Sequence, residues 1–303
     1  MRTPVAASLL AVLVAAAVSG CGVFGSAPQP GTQPPPPALP VPVSGAAGPT
    51  AAPLTITALV DGTELVTLST DNPAIRENRT VTGLRGDRSL VGIDYRMQDG
   101  ELYGVGDAGG IYTLDGSGGA NKVKQLSVAL QGERFGVDFN PAANALRIVS
   151  DTGQNLRQPF ADPAAPTAED KALTNPAAPP ATGSVPAAGV GGAGYTNNDA
   201  DAATATALFV LDTEADRLSI QSPANAGTLA PVGNLGVDAG VVAGFDVHSP
   251  VPGGPSTDML ALATLQVDDR YGLYEIDLLT GKAERLDELA GPVVDIAIPI
   301  DGG

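Results

Sequence analysis

Four aspartates recur in one short setting. Gly92-Ile93-Asp94-Tyr95, Gly136-Val137-Asp138-Phe139, Gly244-Phe245-Asp246-Val247 and Val293-Val294-Asp295-Ile296 each set a carboxylate in an apolar stretch. Gly194-Tyr195-Thr196-Asn197 reads as a variant with Thr in the Asp place. Carboxylates gathered around one axis by a repeat would suit a hard cation, and Ca²⁺ takes six to eight oxygen ligands. Crowded together, they could instead hold raised pKa values and act as acid and base. A third reading needs no ligand: each Asp accepts hydrogen bonds from backbone amides in turns or between repeats. Repetition favours the third, because catalytic groups normally break symmetry.

A second polar group lies in Asp151-Thr152-Gly153-Gln154-Asn155-Leu156-Arg157 and Tyr195-Thr196-Asn197-Asn198. Asn155, Arg157, Tyr195 and Asn197 could contact a polar ligand such as a glycan or peptide, against the plainer reading of amide bonding in turns. His248 sits in a Pro/Gly-rich stretch and reads as solvated. With one Cys and one His in 303 residues, Cys/His metal sites and Cys–His nucleophile pairs are excluded by count. No Gly-x-Ser-x-Gly, P-loop or metal-binding His pair occurs. A net charge of −17 argues against electrostatic binding to nucleic acid or to an anionic membrane surface.

The elements that must position these residues form a repeat. Positions 94, 138, 196, 246 and 295 are 44, 58, 50 and 49 apart, and Asp94 to Asp107 matches Asp138 to Asp151 at thirteen. Each unit reads as short alternating strands punctuated by turns such as Asp99-Gly100, Asp115-Gly116 and Thr280-Gly281. Units of this length with up to four strands are the mark of β-propeller blades. The last copy supplies one strand, Val293 to Pro299, and the region after Pro53 supplies Thr55 to Leu59 and Glu64 to Leu68 without a Gly-x-Asp opening. The two pieces complement each other. The fold expected is therefore all-β, a five-bladed β-propeller whose C-terminal strand closes the N-terminal blade. Splitting the long third unit, Gly136 to Pro186, would make six blades, and a β-sandwich is the outside alternative. The Ala/Pro-rich insert from Phe160 to Gly189 reads as an exposed excursion at a blade edge.

Ahead of this domain stand two other segments. Arg2 precedes a run from Val5 to Val18 that is apolar except for Ser8, too short to span a bilayer and typical of an export signal. Val18-Ser19-Gly20-Cys21 resembles the lipobox of bacterial lipoproteins, with Val where Leu is usual. The resemblance implies that Cys21 is lipidated and becomes the mature N-terminus. From Cys21 to Pro53 there is no charge, and ten of the 33 residues are Pro, which suits an extended tether. The expected division is a signal peptide over residues 1–20, a tether over 21–53 and the propeller over 54–303. The propeller then carries 15 basic and 33 acidic residues, a net −18.

Phe135-Gly136-Val137-Asp138-Phe139-Asn140-Pro141, the stretch Val149 to Arg157, Ala193-Gly194-Tyr195-Thr196-Asn197-Asn198 and the stretch Ala226 to Asp238 resemble the bacterial domain-of-unknown-function 4394 family. The resemblance runs in matching order from Leu54 to about Leu286. It implies an exported, propeller-like protein and brings no chemistry or site residues. The expectation is a lipid-anchored envelope protein, attached to the membrane through Cys21, that binds or organises an envelope protein or glycan without catalysis and without a cofactor other than the Ca²⁺ considered above. The alternative is a glycan-acting hydrolase using channel carboxylates, against which the absence of Trp counts modestly.

Overall fold

The computed structural model describes residues 53–72, 77–197, 199–249 and 259–300. The signal segment, Cys21 and the tether before Pro53 lie outside the described residues. Ala51–Gly303 is one compact unit, built from five four-stranded antiparallel sheets. Among the described residues no helix is long and apolar enough to cross a membrane.

Blade 1 is β22 (Val293–Ala297), β1 (Thr55–Val60), β2 (Glu64–Ser69) and β3 (Glu77–Thr80), in that spatial order. The C-terminal strand thus closes the N-terminal blade, with Ala58 opposite Ile296. Blade 2 is β4 (Leu90–Tyr95), β5 (Leu102–Gly106), β6 (Gly110–Leu114) and β7 (Ala120–Gln125). Blade 3 is β8 (Phe135–Asn140), β9 (Ala145–Ser150), β10 (Asn155–Pro159) and β11 (Ala168–Glu169). A hairpin of β12 (Thr174–Pro176) and β13 (Ser184–Pro186) follows as a separate two-stranded sheet. Blade 4 is β14 (Val190–Tyr195), β15 (Leu208–Asp212), β16 (Arg217–Gln221) and β17 (Leu229–Asn234). Blade 5 is β18 (Ala243–His248), β19 (Leu260–Val267), β20 (Arg270–Ile276) and β21 (Ala283–Leu289). There are five blades, and the surplus of the third unit is the hairpin rather than a sixth. The insert is not wholly excursion: it supplies β11, and Leu173 and Ala187 are buried against Val149 and Val190.

Inner strands β22, β4, β8, β14 and β18 pack on one another in a closed ring. Their sequences show why. An inner strand is covered on both faces by neighbouring blades, so β14 and β18 are buried at every residue, whereas outer β7 alternates between half-buried and exposed. Each blade junction carries its own apolar cluster, such as Tyr103 and Ile111 of blade 2 with Phe139 and Ile148 of blade 3. Phe160 adds edge-to-face contacts to Tyr103 and Phe139 at 5.5 and 5.1 Å, a geometry worth something beyond area alone.

Two equivalences drawn from the letters of the repeat are corrected by strand register. In β4, Leu90 faces Gly106 and Gly92 faces Val105, leaving Val91 as the extra residue of a bulge. In β14, Val190 faces Asp212 and Gly192 faces Leu211, with Gly191 extra. In β22, Val293 faces Val60 and Asp295 faces Leu59, with Val294 extra. Aligned on the bulge, Asp94 corresponds to Gly194 and to Ala297. The Asp place therefore holds Gly194 in blade 4, not Thr196, and Ala297 in blade 1. Asp295 stands at the Gly place.

The Gly of Gly-x-Asp permits close approach of the next inner strand. A Cβ on Gly92 would lie 2.3 Å from Val137 Cγ2, one on Gly136 2.5 Å from the Ala193 nitrogen, and one on Gly244 2.7 Å from Asp295 Cα. Overpacking of this kind typically costs about 1–3 kcal/mol. Gly136→Ala should lower unfolding stability by about that amount in urea titration. Gly116→Ala, where a Cβ meets nothing within 4 Å, should change it by less than about 0.5 kcal/mol.

Candidate functional site

The inner strand of each blade is a sheet edge, and its outward amides face the axis without a ladder partner. The recurring carboxylates take these amides. Asp94 accepts from Tyr95 N–H at 2.7 Å on its own strand and from Phe139 N–H of blade 3 at 2.6 Å. Asp138 accepts from Tyr195 N–H of blade 4 at 3.1 Å. Asp246 accepts from Val247 N–H at 2.6 Å and from Ile298 N–H beside blade 1 at 2.7 Å. Asp295 accepts from Ile296 N–H at 3.0 Å and from Ile93 N–H of blade 2 at 2.9 Å. At the one remaining junction, where Gly194 leaves no carboxylate, Ser249 Oγ accepts from Asn197 N–H at 2.9 Å. A side-chain oxygen thus bridges inner-strand segments at all five junctions.

Three of these groups also converge. Oxygens of Asp94, Asp138 and Asp246 lie within 4.8 Å of one another, and all three residues are buried. The two other Asp places hold Gly194 and Ala297, so three carboxylates rather than five meet here. Asp295, two residues earlier on its strand, is not of this cluster. Burial is the main cause that raises Asp94, Asp138 and Asp295 well above the usual carboxylate range, with neighbouring carboxylates adding to it. Burial likewise lifts Asp246 to about 6, against the pull of its two amide donors. Crowded acids of this sort share protons rather than ionise together.

The space they border, lined also by Met97, Pro141, Ile298 and Ile300, has a volume of about 30 Å³, room for about one water. As a Ca²⁺ site it is poorly provided, since most of the carboxylate oxygens already accept amides and six to eight oxygen ligands are needed.

The other candidates go elsewhere. Asn155 is buried and fully engaged: its Oδ1 accepts from Arg147 Nη1 at 2.8 Å, and its Nδ2 donates to the carbonyls of Lys171 and Ala224. Arg157 makes a two-pronged pair with Asp170 at 3.1 and 3.2 Å. Both belong to a network around Arg147, which is 2% exposed and reaches Asp170, Asn225 and the Tyr195 hydroxyl. Tyr195 and Asn197 do border the axial space. Asn197 has φ 79, and its buried Nδ2 has no hydrogen-bond partner among the described residues.

His248 is not solvated. It ends β18, is buried, and burial lowers its pKa. Nothing in the sequence spacing marks Ser249, whereas an arginine inside the apolar run Ala145-Leu146-Arg147-Ile148-Val149 is a visible signal for a buried polar network.

The family of this propeller is settled by its sequence. The profile of the family described as Domain of unknown function (DUF4394) matches residues 64–297. The chain belongs to this family. No curated protein matches it. Among solved structures, hydrazine synthase of Kuenenia stuttgartiensis is similar at 9% identity and TM-score 0.39, over 69% of this chain and 52% of that one. The present chain therefore spans about half the length of that protein. A chain of a nidogen/laminin complex is similar at 8% identity and TM-score 0.46, over 82% of this chain and 98% of that one. A protein from Lactobacillus plantarum is similar at 13% identity and TM-score 0.39, over 81% and 99%.

The raised carboxylates fix the direction of pH dependence. A carboxyl whose folded pKa exceeds its unfolded value of about 3.9 binds its proton more tightly when folded. Its contribution is complete below about pH 4 and is lost as pH rises through the folded value, about 6 for Asp246 and raised for the other three. Asp107 and Asp277, held low chiefly by backbone amides, and Asp115, held low chiefly by Ser117, act in the opposite sense; that loss is confined to below about pH 4. His248, whose pKa burial lowers, opposes the trend up to about pH 6.5, but it is one group against four raised carboxylates, so the melting temperature should fall between about pH 5 and pH 8. Asp138→Asn, which keeps an oxygen for Tyr195 N–H but carries no charge, should flatten that slope. An unchanged slope would remove the shared-proton account.

Proposed function

We propose that this protein is an exported, lipid-anchored component of the cell envelope whose propeller binds or organises partners without catalysis. One observation carries the non-catalytic part. The groups best suited to chemistry, Asp94, Asp138 and Asp246, are engaged by backbone amides of the ring and border a space of about 30 Å³. Their mutual separation of up to 4.8 Å is near the roughly 5–5.5 Å of a retaining glycosidase pair, but a sugar ring does not fit between them. The geometry thus supports a structural core for a binding module over the hydrolase reading.

The anchor rests on the sequence. Cys21 is the sole cysteine, follows Val18-Ser19-Gly20, and precedes an uncharged Pro-rich stretch that ends where the compact unit begins. Acyl chains gain about 0.8 kcal/mol per buried CH₂, and more than one chain is needed for stable attachment. A tether of this composition would hold the propeller clear of the bilayer, where its net −18 disfavours contact with anionic lipid and leaves its loops free for an envelope protein or glycan.

Cys21→Ala should move the protein from the detergent to the aqueous phase in phase partitioning, and a protein that stays with detergent overturns the anchor. Added Ca²⁺ or a chelator should leave the melting temperature of the full chain unchanged. A rise with Ca²⁺ that disappears in Asp138→Asn would instead make the carboxylate cluster a cation site.

A further inference from the structure

We propose that the mouth of the ring at the starts of the inner strands is a binding pocket for a small organic ammonium ion with a compact apolar body. This mouth lies at the opposite end of the inner strands from the carboxylate cluster and does not depend on the function proposed above. It encloses about 320 Å³, at the lower end of the range for small-molecule sites.

All five blades contribute to it. Its apolar lining includes Val91, Phe135, Ala243 and Val294, with Gly191 between them. Three of these, Val91, Gly191 and Val294, are the extra residues of the three matching bulges. A bulge re-aims one residue out of the ladder, and here all three bulged residues line the same cavity. Gly191 lines the cavity without a side chain of its own, and a Cβ there would stand in ordinary contact with Arg134 Cβ at 3.4 Å, so a longer side chain would extend into the space.

The charge at the rim selects the ligand. Asp61, Glu133 and Arg134 are the ionisable residues of the lining. Arg134 is committed, its Nη2 lying 3.1 Å from both Asp151 and Glu214. Asp61 and Glu133 are exposed and make no ion pair among the described residues. The pocket therefore presents an apolar floor under two uncompensated carboxylates, in a domain of net −18 that attracts cations and repels anions. A primary ammonium group at the rim with a short branched hydrocarbon on the valines satisfies both halves. An anionic ligand would meet like charge.

The test compares three probes of nearly equal shape by calorimetric titration of the full-length chain: isopentylammonium, isopentanol and 4-methylpentanoate. The ammonium should bind about tenfold more tightly than the alcohol, as two exposed carboxylates acting together can supply, and the carboxylate should not bind. Raising the salt from 50 to 500 mM should narrow the difference. The double variant Asp61→Asn/Glu133→Gln, at two exposed positions, should bring the ammonium down to the level of the alcohol, and Gly191→Leu should abolish both. Equal binding of all three probes, absence of ammonium binding at 10 mM, or unaltered affinity in the double variant would each overturn the proposal.

Discussion

The structure depends on how a ring of separate sheets satisfies the amides at its centre. Blades are joined by side-chain packing, not by a continuous hydrogen-bond ladder, so each inner strand is an edge. A buried edge amide without a partner costs about 1–3 kcal/mol. Aspartate meets the need because its two oxygens can take one amide from its own strand and one from the next blade, as Asp94, Asp246 and Asp295 do. In the Gly-x-Asp blades the neighbouring strand comes within reach across Gly92, Gly136 and Gly244, where a Cβ would collide with it. Gly-x-Asp is thus one device with two parts: the glycine admits the neighbour and the aspartate binds it.

A fully symmetric version of this device would bury five carboxylates at one level. Mutual repulsion and desolvation would penalise such a ring severely. The chain relieves the conflict by substitution. Blade 4 has Gly194 in the Asp place and passes the bridging role to Ser249; blade 1 has Ala297 there and carries its carboxylate two residues earlier, at Asp295. Three groups remain together, and protonation neutralises part of their charge. Departures from the repeat are therefore explained by electrostatics within the ring, with no need of a substrate.

Much of this was legible in the sequence. The recurring Gly-x-Asp, the shared thirteen-residue spacing to Asp107 and Asp151, and the complementary terminal pieces were enough for five blades and for closure by the last strand. Asp107 and Asp151 prove equivalent in detail, each accepting an amide just ahead of its inner strand, from Arg88 and from Glu133. The exact partner of each Asp was not legible. Matching by letter assigns Thr196 and Asp295 to the Asp place, whereas alignment on the bulges at Gly191 and Val294 moves that place by two residues, to Gly194 and Ala297. The hundred-residue offset between Leu90-Val91-Gly92-Ile93-Asp94-Tyr95 and Val190-Gly191-Gly192-Ala193-Gly194-Tyr195 would have shown it, at the expense of accepting Gly where Asp was sought. Asn155 and Arg157 were visible as polar residues, but their partners come from three settings that no periodicity links: Arg147 on the adjacent strand β9, Asp170 just after β11 in the insert, and Asn225 in the loop before β17.

The junction of blades 3 and 4 shows what happens where the repeat fails. Outer strand β11 has only two residues, so blade 3 offers less sheet surface than its neighbours, and the insert interrupts it. Arg147 fills this junction, with Asn155, Asp170, Asn225 and Tyr195 arranged around it. A buried ion pair contributes little net stability against a well-packed apolar alternative, yet removing one partner is costly, since it leaves the other charged and alone. Its value here lies in specification: the guanidinium can be satisfied only when the blade 3 strand, the insert and the blade 4 loop are all in register. Apolar packing alone would tolerate slippage of the short β11, and the arginine network does not. The most irregular blade is thus held by the most directional contacts, while the regular blades rely on glycine, aspartate and the apolar clusters between them.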